Sequence, residues 1–310
     1  MSTIAVDAMG GDSAPEEVVK GAILAKKEGV DVILSGDENL IKSYLGNEKI
    51  PVINYPQVIS MDDDPAKAIR SNKDSSIIGA LNLVKEKKAD AVFSAGSTGA
   101  TLIGAISVLG KIKGVTRPTI ASVLPGKEKE VILVDSGANL EVKPKVLYQF
   151  AIMGSKLSEL LFDIENPRIG LINNGEESSK GRELEKATFK LLKSSQLNFI
   201  GNVEGKDFAN SKVDVFVTDG FTGNVVLKTL QGVAKLQQDL ISKSLKENLF
   251  KPLLIPVKNA ISPVKSMLNP NSTNGSYLLG VNGLVIIGHG SSNSEAIKNA
   301  LLFTSRAVEK

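Results

Sequence analysis

Short apolar runs rich in Val and Ile recur along the chain, separated by longer stretches with an apolar residue every three or four positions. The runs predict strands at Thr3–Asp7, Val32–Ser35, Val52–Tyr55, Ala91–Ser94, Ile120–Leu124 and Val131–Asp135. Further strands are predicted at Ile169–Ile172, Phe199–Gly201, Val215–Asp219 and Leu284–Gly288. The helical periods fall at Pro15–Lys27, Ser75–Lys87, Thr98–Leu109, Lys145–Phe162, Arg182–Lys193, Thr222–Phe250 and Ser294–Val308. Strands that are apolar throughout belong in a sheet covered on both faces. Their alternation with helices predicts an α/β fold, a doubly wound αβα sandwich around a mixed sheet. No repeat, low-complexity segment or linker divides the chain, so one αβα domain over residues 1–310 is expected. The stretch Leu236–Leu268 has no neighbouring strand and is expected to project as a helical hairpin.

Six strand ends run into glycine, hydroxyl and carboxylate residues. IAVDAMGGDSAP (Ile4–Pro15) leaves its strand through Asp7, Gly10, Gly11 and Asp12, and FSAGSTGA (Phe93–Ala100) through Gly96, Ser97 and Thr98. Asn139 closes VILVDSGAN, and Asn173 opens the polar loop of IGLINNGEESSKG that reaches Lys180. VFVTDGFTGNVVLK supplies Asp219, Gly220, Gly223, Asn224 and Lys228, and LVIIGHGSSNSEA supplies His289. Ligands of open α/β sheets bind beyond the carboxyl ends of strands, where helix N-termini offer N–H groups and a favourable dipole to an anion. Each end alone has a plain reading as cap or turn. Six together point to a bound anion. Neither G-x-x-x-x-G-K-[ST] nor a G-x-G-x-x-G after the first strand is present, which argues against the usual nucleotide and dinucleotide sites. A phosphate or small phosphorylated ligand remains, held by backbone amides, hydroxyls and a cation.

Composition narrows the chemistry. The 310 residues include no cysteine, which removes disulfides, thiolate metal sites and a Cys nucleophile. His289 is the single histidine, so no His-rich zinc site exists and any imidazole chemistry depends on it. A net charge of +3 with 5% aromatics speaks against nucleic acid as a partner. The start MSTIAVDAMGG lacks the pattern of a signal peptide, and no apolar run approaches the roughly 20 residues of a bilayer span. A cytoplasmic location is expected.

Longer blocks carry a resemblance. VDAMGGD, FSAGSTGA, RPTIASVLP, FAIMGS, ENPRIGLINNGEE, KGRELEKATFKLL, NFIGNVEG and DGFTGNVVLKT, spread between Ile4 and Ala307, resemble the bacterial acyl-ACP:phosphate acyltransferases. The resemblance implies that inorganic phosphate attacks the thioester of a long-chain acyl group on acyl carrier protein (ACP). The acyl phosphate formed is then used by a membrane glycerol-3-phosphate acyltransferase in phospholipid synthesis. A fold similar to isocitrate and isopropylmalate dehydrogenases and phosphate acetyltransferase is implied, with no cofactor and no metal. Phosphate is itself the nucleophile, and a thiol of pKa about 8–9 leaves as thiolate with little acid help. Positioning and charge stabilisation are then the protein's task. Two positions depart from the family pattern: Ser13 stands where a second His is usual, and Ser136 where Val is usual.

With this chemistry Lys180, His289 and Asn224 are the predicted catalytic residues. Phosphate and acyl group are expected against Asp7, Gly10, Gly11, Asp12, Gly96, Ser97, Thr98, Asn139, Asn173, Asp219, Gly220, Gly223 and Lys228. Plain alternatives stay open. Ser97 is an N-cap, Asp7 and Asp12 cap the next helix, Lys180 pairs with Glu176 or Glu177, and Lys228 salt-bridges on its own helix. His289 is an acid/base or phosphate donor, or it stands behind such a group.

Leu240–Leu268 differs in kind, with five lysines (Lys243, Lys246, Lys251, Lys258, Lys265), one acid (Glu247) and an apolar tip including Leu253 and Leu254. It reads as a homodimer interface, as a hairpin dipping into anionic headgroups, or as a basic surface for acidic ACP. Contacts are expected at Lys243, Lys246, Leu253, Leu254 and Lys258. The competing functions are an acetyl-transferring or dehydrogenase-like enzyme on the same fold, and a peripheral membrane scaffold for a phosphorylated ligand.

Overall fold

The computed structural model describes residues 2–248 and 275–309. The first half of the chain forms β1 (Thr3–Asp7), α1 (Glu16–Lys27), β2 (Asp31–Gly36), α2 (Glu38–Leu45), β3 (Val52–Asn54), α3 (Pro65–Ser71), α4 (Ser76–Lys85), β4 (Ala91–Ser94) and α5 (Thr98–Val108). There follow β5 (Thr119–Leu124), β6 (Val131–Val134), α6 (Pro144–Phe162), β7 (Ile169–Ile172), α7 (Glu183–Lys193) and β8 (Phe199–Val203). A 3-10 turn (Gly205–Phe208), β9 (Val215–Val217), α8 (Gly220–Asn248), β10 (Ser276–Leu279), β11 (Leu284–Ile287) and α9 (Ser294–Val308) complete it.

The eleven strands of the described residues join one sheet in the order β3-β2-β1-β4-β11-β10-β5-β6-β9-β7-β8. Pairing is parallel on either side of the middle, but β10 is antiparallel to β11 and β5, and β5 is antiparallel to β6. The carboxyl ends of β1, β4 and β11 therefore lie on the opposite sheet edge from those of β6, β9 and β7. The doubly wound mixed sheet predicted from the sequence is what forms.

Strand alternation sorts side chains between the faces. Val6, Phe93, Tyr277, Ala121, Val134 and Val217 point to one face, where they meet α1, α2, α6, α7 and α9 in one continuous cluster. Helix α1 shows why it docks there. Val18, Val19, Ala22 and Ala25 form its buried stripe, while Glu16 and Glu17 start it and Lys26 and Lys27 end it, in line with the helix dipole. The opposite face holds two separate clusters, one under α3, α4 and α5 and one under α8 and the 3-10 turn.

Two helices, one strand and the 3-10 turn were not predicted. Helix α2 is only eight residues long, starts at Asp37 (whose side chain accepts the Leu40 N–H at 3.0 Å) and buries only Ile41 and Leu45. Helix α3 likewise rests on a cap, Asp64, and on Pro65 at its first turn. Strand β10 has just three apolar residues, Tyr277–Leu279, below the length at which a run reads as a strand. Of the expected projecting segment, α8 is described as a helix to Asn248, with Lys243 exposed on it. Leu253, Leu254 and Lys258 lie outside the described residues, as does the side chain of Lys246. Among the described residues no helix is long and apolar enough to cross a membrane.

Candidate active site

On the face with two clusters, register aligns Ser35, Asp7, Ser94, Ile287, Ser276 and Ser122 across six neighbouring strands. Five of these are polar, and buried polar groups need partners. Ser35 Oγ donates to the Ser76 carbonyl at 2.7 Å, and Ser94 Oγ donates to Asp7 at 2.6 Å while accepting the Gly96 N–H at 3.1 Å. Ser122 Oγ lies 2.8 Å from both Ser136 and Ser276, and Ser136 donates onward to the Ile120 carbonyl at 3.2 Å. A hydroxyl has one hydrogen. The ladder therefore runs from Ser276 through Ser122 and Ser136 to Ile120, and offers only lone pairs elsewhere.

Above this ladder the sheet lies open between α5 and α8, leaving a cleft of about 350 Å³. Thr98, His289 and Ser292 line one wall, and Asn224 and Lys228 of α8 line the other. Lys228 Nζ donates to Gln231 at 3.2 Å, and no carboxylate pairs with it among the described residues. His289 Nδ1 receives the Ser291 N–H at 3.3 Å and sits 2.9 Å from its hydroxyl, which assigns the ring hydrogen to Nε2. Desolvation and the nearby Lys228 charge hold the imidazole below its ordinary pKa, with Asp12 opposing. At neutral pH it is an uncharged donor.

Three helices begin around the cleft, and their N-termini differ. At α9 the Ser294 N–H donates to Glu17 at 2.6 Å and Asn293 caps Ala296. At α8 Asp219 accepts the Thr222 N–H at 2.7 Å, Gly220 N–H donates to the Asn139 carbonyl at 2.8 Å, and Arg182 grips Asp219 from outside. Helix α5 has only the neutral Ser97 cap, which accepts from Ala100 at 3.4 Å. Its first N–H groups, on Thr98 and Gly99, have no intrahelical partner. Beneath it Asp7 is fully buried, and burial pushes its carboxyl up while hydrogen bonds from Ser76 and Ser94 pull it down. Asp7 Oδ1 has no hydrogen-bond partner among the described residues. A Cβ on Gly10 would fall 2.5 Å from Asp7 Oδ2 and 2.8 Å from Gly96 N, so the β1 and β4 loops cross here only as glycines.

A family model described as "Fatty acid synthesis protein" matches residues 2–310. The phosphate acyltransferase of Halothermothrix orenii is 43% identical over 99% of this chain and 95% of its own length. That of Pelotomaculum thermopropionicum is 45% identical over 99% and 91%. The chain belongs to the phosphate acyltransferase family. A phosphotransacetylase from Streptococcus pyogenes matches its fold with a TM-score of 0.64 at 17% identity, covering 100% of this chain and 94% of that one. A 4-hydroxythreonine-4-phosphate dehydrogenase from Klebsiella pneumoniae gives 0.58 at 13%, covering 99% and 100%. These two show the doubly wound fold alone.

In this member of the family the cleft brings together Thr98, Asn224, Lys228 and His289 of the predicted residues. Gly96 and Ser97 lie behind Thr98, next to Asp7 and Gly10. Gly11 and Asp12 lean on the His289 loop, with the Asp12 N–H donating to the Gly290 carbonyl at 2.8 Å. Gly220 and Gly223 act in packing: a Cβ on Gly223 would lie 1.8 Å from the Asp135 carbonyl oxygen. The Asn139 amide donates to Pro118 at 2.9 Å and Asp135 at 2.8 Å, which ties down the β6 loop. Asn173 donates to the Lys180 carbonyl at 3.2 Å, and neither residue lines the cleft. Lys180 is exposed on the loop after β7, where it forms no ion pair among the described residues. Sequence reasoning passed over Arg182, although the run R-E-L-E that opens α7 signals its pairing with Glu185. It also passed over Ser122 and Ser276, which stand singly in apolar or loop context and carry no local signal.

Proposed function

We propose that the cleft transfers a long-chain acyl group from acyl carrier protein to inorganic phosphate. Phosphate sits at the start of α5, on the N–H groups of Thr98 and Gly99 and the Thr98 hydroxyl, facing Lys228 and His289. One observation carries this reading: around the cleft, α5 alone has no first-turn N–H bonded to a carboxylate among the described residues. A phosphate oxygen attacks the thioester carbon, the C–O bond forms, the C–S bond breaks, and the proton of hydrogen phosphate ends on the leaving sulfur. Lys228 and the His289 Nε2–H stabilise the tetrahedral oxyanion. The serine ladder directs its hydrogens away and does not compete for the anion.

The test is thiol release from acyl-ACP, which should depend strictly on phosphate. Lys228→Ala should lower kcat/KM for phosphate about ten- to a hundredfold, the equivalent of a charge-assisted hydrogen bond of about 1.5–3 kcal/mol. The KM for acyl-ACP should move little. Release without phosphate, or unchanged phosphate kinetics in the variant, would sink the assignment. Acetyl-CoA as donor separates the acetyl-transferring alternative.

This reading gives the protein a cytoplasmic life at a membrane surface, as a homodimer that hands acyl phosphate to a glycerol-3-phosphate acyltransferase. An exposed apolar stripe on α8, formed by Leu230, Val233, Leu236 and Leu240 and followed by Lys243, supports such contact. Co-sedimentation with anionic but not neutral vesicles, together with the mass in solution, measures it.

A further inference from the structure

The wall of the cleft opposite Thr98 is not uniformly polar. Leu140, Phe221 and Val225 line it while remaining 66%, 61% and 50% exposed, and Leu124 and Leu227 continue it into the apolar cluster beneath α8. Single exposed apolar residues need no explanation. Three adjoining ones at the mouth of a cleft do. The hydrogen bond from Gly220 N–H to the Asn139 carbonyl joins the residues just before Phe221 and Leu140, which fixes both side chains at one rim. Phe221, Val225 and Lys228 follow one another at helical spacing on α8. The rim and the cation thus stand about 10 Å apart along that helix, at about 1.5 Å per residue.

We propose that Leu140, Phe221 and Val225 form the acyl-chain subsite and set the chain-length preference of the transfer. The inference rests on the proposed function, because the reacting carbonyl must lie near Lys228 and His289 for its chain to reach this rim. The occupant is the substrate's own hydrocarbon chain. A phosphate leaves an apolar wall unused, whereas an acyl group attached at the polar end needs one within the same cleft, and burial of methylenes supplies discrimination by length.

Palmitoyl and butyryl thioesters of acyl carrier protein, with phosphate saturating, provide the measurement. In a Leu140→Ser, Phe221→Ser double variant, kcat/KM for the palmitoyl donor should fall by about tenfold or more, and that for the butyryl donor by less than about twofold. Phe221→Leu restored in the Leu140→Ser background should recover most of the ratio, as a lost apolar contact requires. An equal fall for both donors, or none for either, overturns the subsite. A change of mass in solution with an unchanged donor ratio assigns the rim to a second copy of the chain and also overturns it. If the wild type turns over neither donor, the proposed function falls and the subsite with it. An unchanged ratio in an active enzyme removes the subsite alone.

Discussion

Val6 and Asp7 are neighbours on β1, yet one enters a continuous apolar core and the other a transverse polar row. The same contrast holds across the sheet, between Phe93 and Ser94 on β4 and between Tyr277 and Ser276 on β10. Behind the sheet, α1, α2, α6, α7 and α9 cover one uninterrupted cluster. In front, two clusters stand apart, and the gap between them holds the serine ladder and the cleft. With the proposed site in that cleft, stability and chemistry fall to opposite faces of the same strands. Close packing behind fixes the strands, and the strands fix the polar row that faces the cleft.

The sharpest test of that division is to injure the continuous face. Phe150 on α6 is fully buried in it, and Phe150→Ala should lower unfolding free energy by about 3–5 kcal/mol, through lost transfer energy and an unfilled cavity. Urea denaturation measures this directly. A loss below about 1 kcal/mol would mean that the back face is not the stabilising one.

A second test uses the titration of Asp7 on the front face. Its folded-state carboxyl is raised by burial, so between the unfolded value of about 3.9 and the raised one the folded protein holds more protons than the unfolded chain. Its contribution is therefore most favourable below that unfolded value and is lost as pH rises through the folded value. Asp7→Asn cannot ionise. The stability difference between variant and wild type should shift in the variant's favour as pH rises, by at most about 1.4 kcal/mol per pH unit. Thermal or urea unfolding across pH reads the slope, and a flat difference would show that Asp7 does not titrate in this window.

The continuous face was legible in the sequence because apolar strand positions such as Ile132 and Val134 face it and α1 carries a matching apolar stripe. The mixed sheet and the order of most elements followed from that pattern. The front face was legible only in part. Thr98, Asn224, Lys228 and His289 stand in glycine-rich strand ends, and such ends can be read locally. Ser35, Ser94, Ser276 and Ser122 become a row only through strand register, which joins residues as distant as Ser122 and Ser276. Lys180 illustrates the opposite error of locality. Its loop has the composition of an anion site, but it leaves β7, one strand beyond β9 in the sheet, and does not line the cleft.

The smallest expected effect concerns the ladder itself. Ser122 is buried and donates to Ser136 while receiving the hydrogen of Ser276. Ser122→Ala removes one donor and one acceptor at once, yet Ser136 keeps its bond to the Ile120 carbonyl and Ser276 is only half-buried at the cleft. Water in the open cleft can take up the Ser276 hydrogen, so the loss should be about 1 kcal/mol or less, near the net worth of one hydrogen bond. Urea unfolding of Ser122→Ala beside Phe150→Ala makes the comparison in one experiment. A loss as large as that of Phe150→Ala would make the ladder part of the stabilising core, and the division between the faces would fail. A small loss, with phosphate kinetics also unchanged, would agree with a ladder whose hydrogens are directed into the protein and not toward the anion.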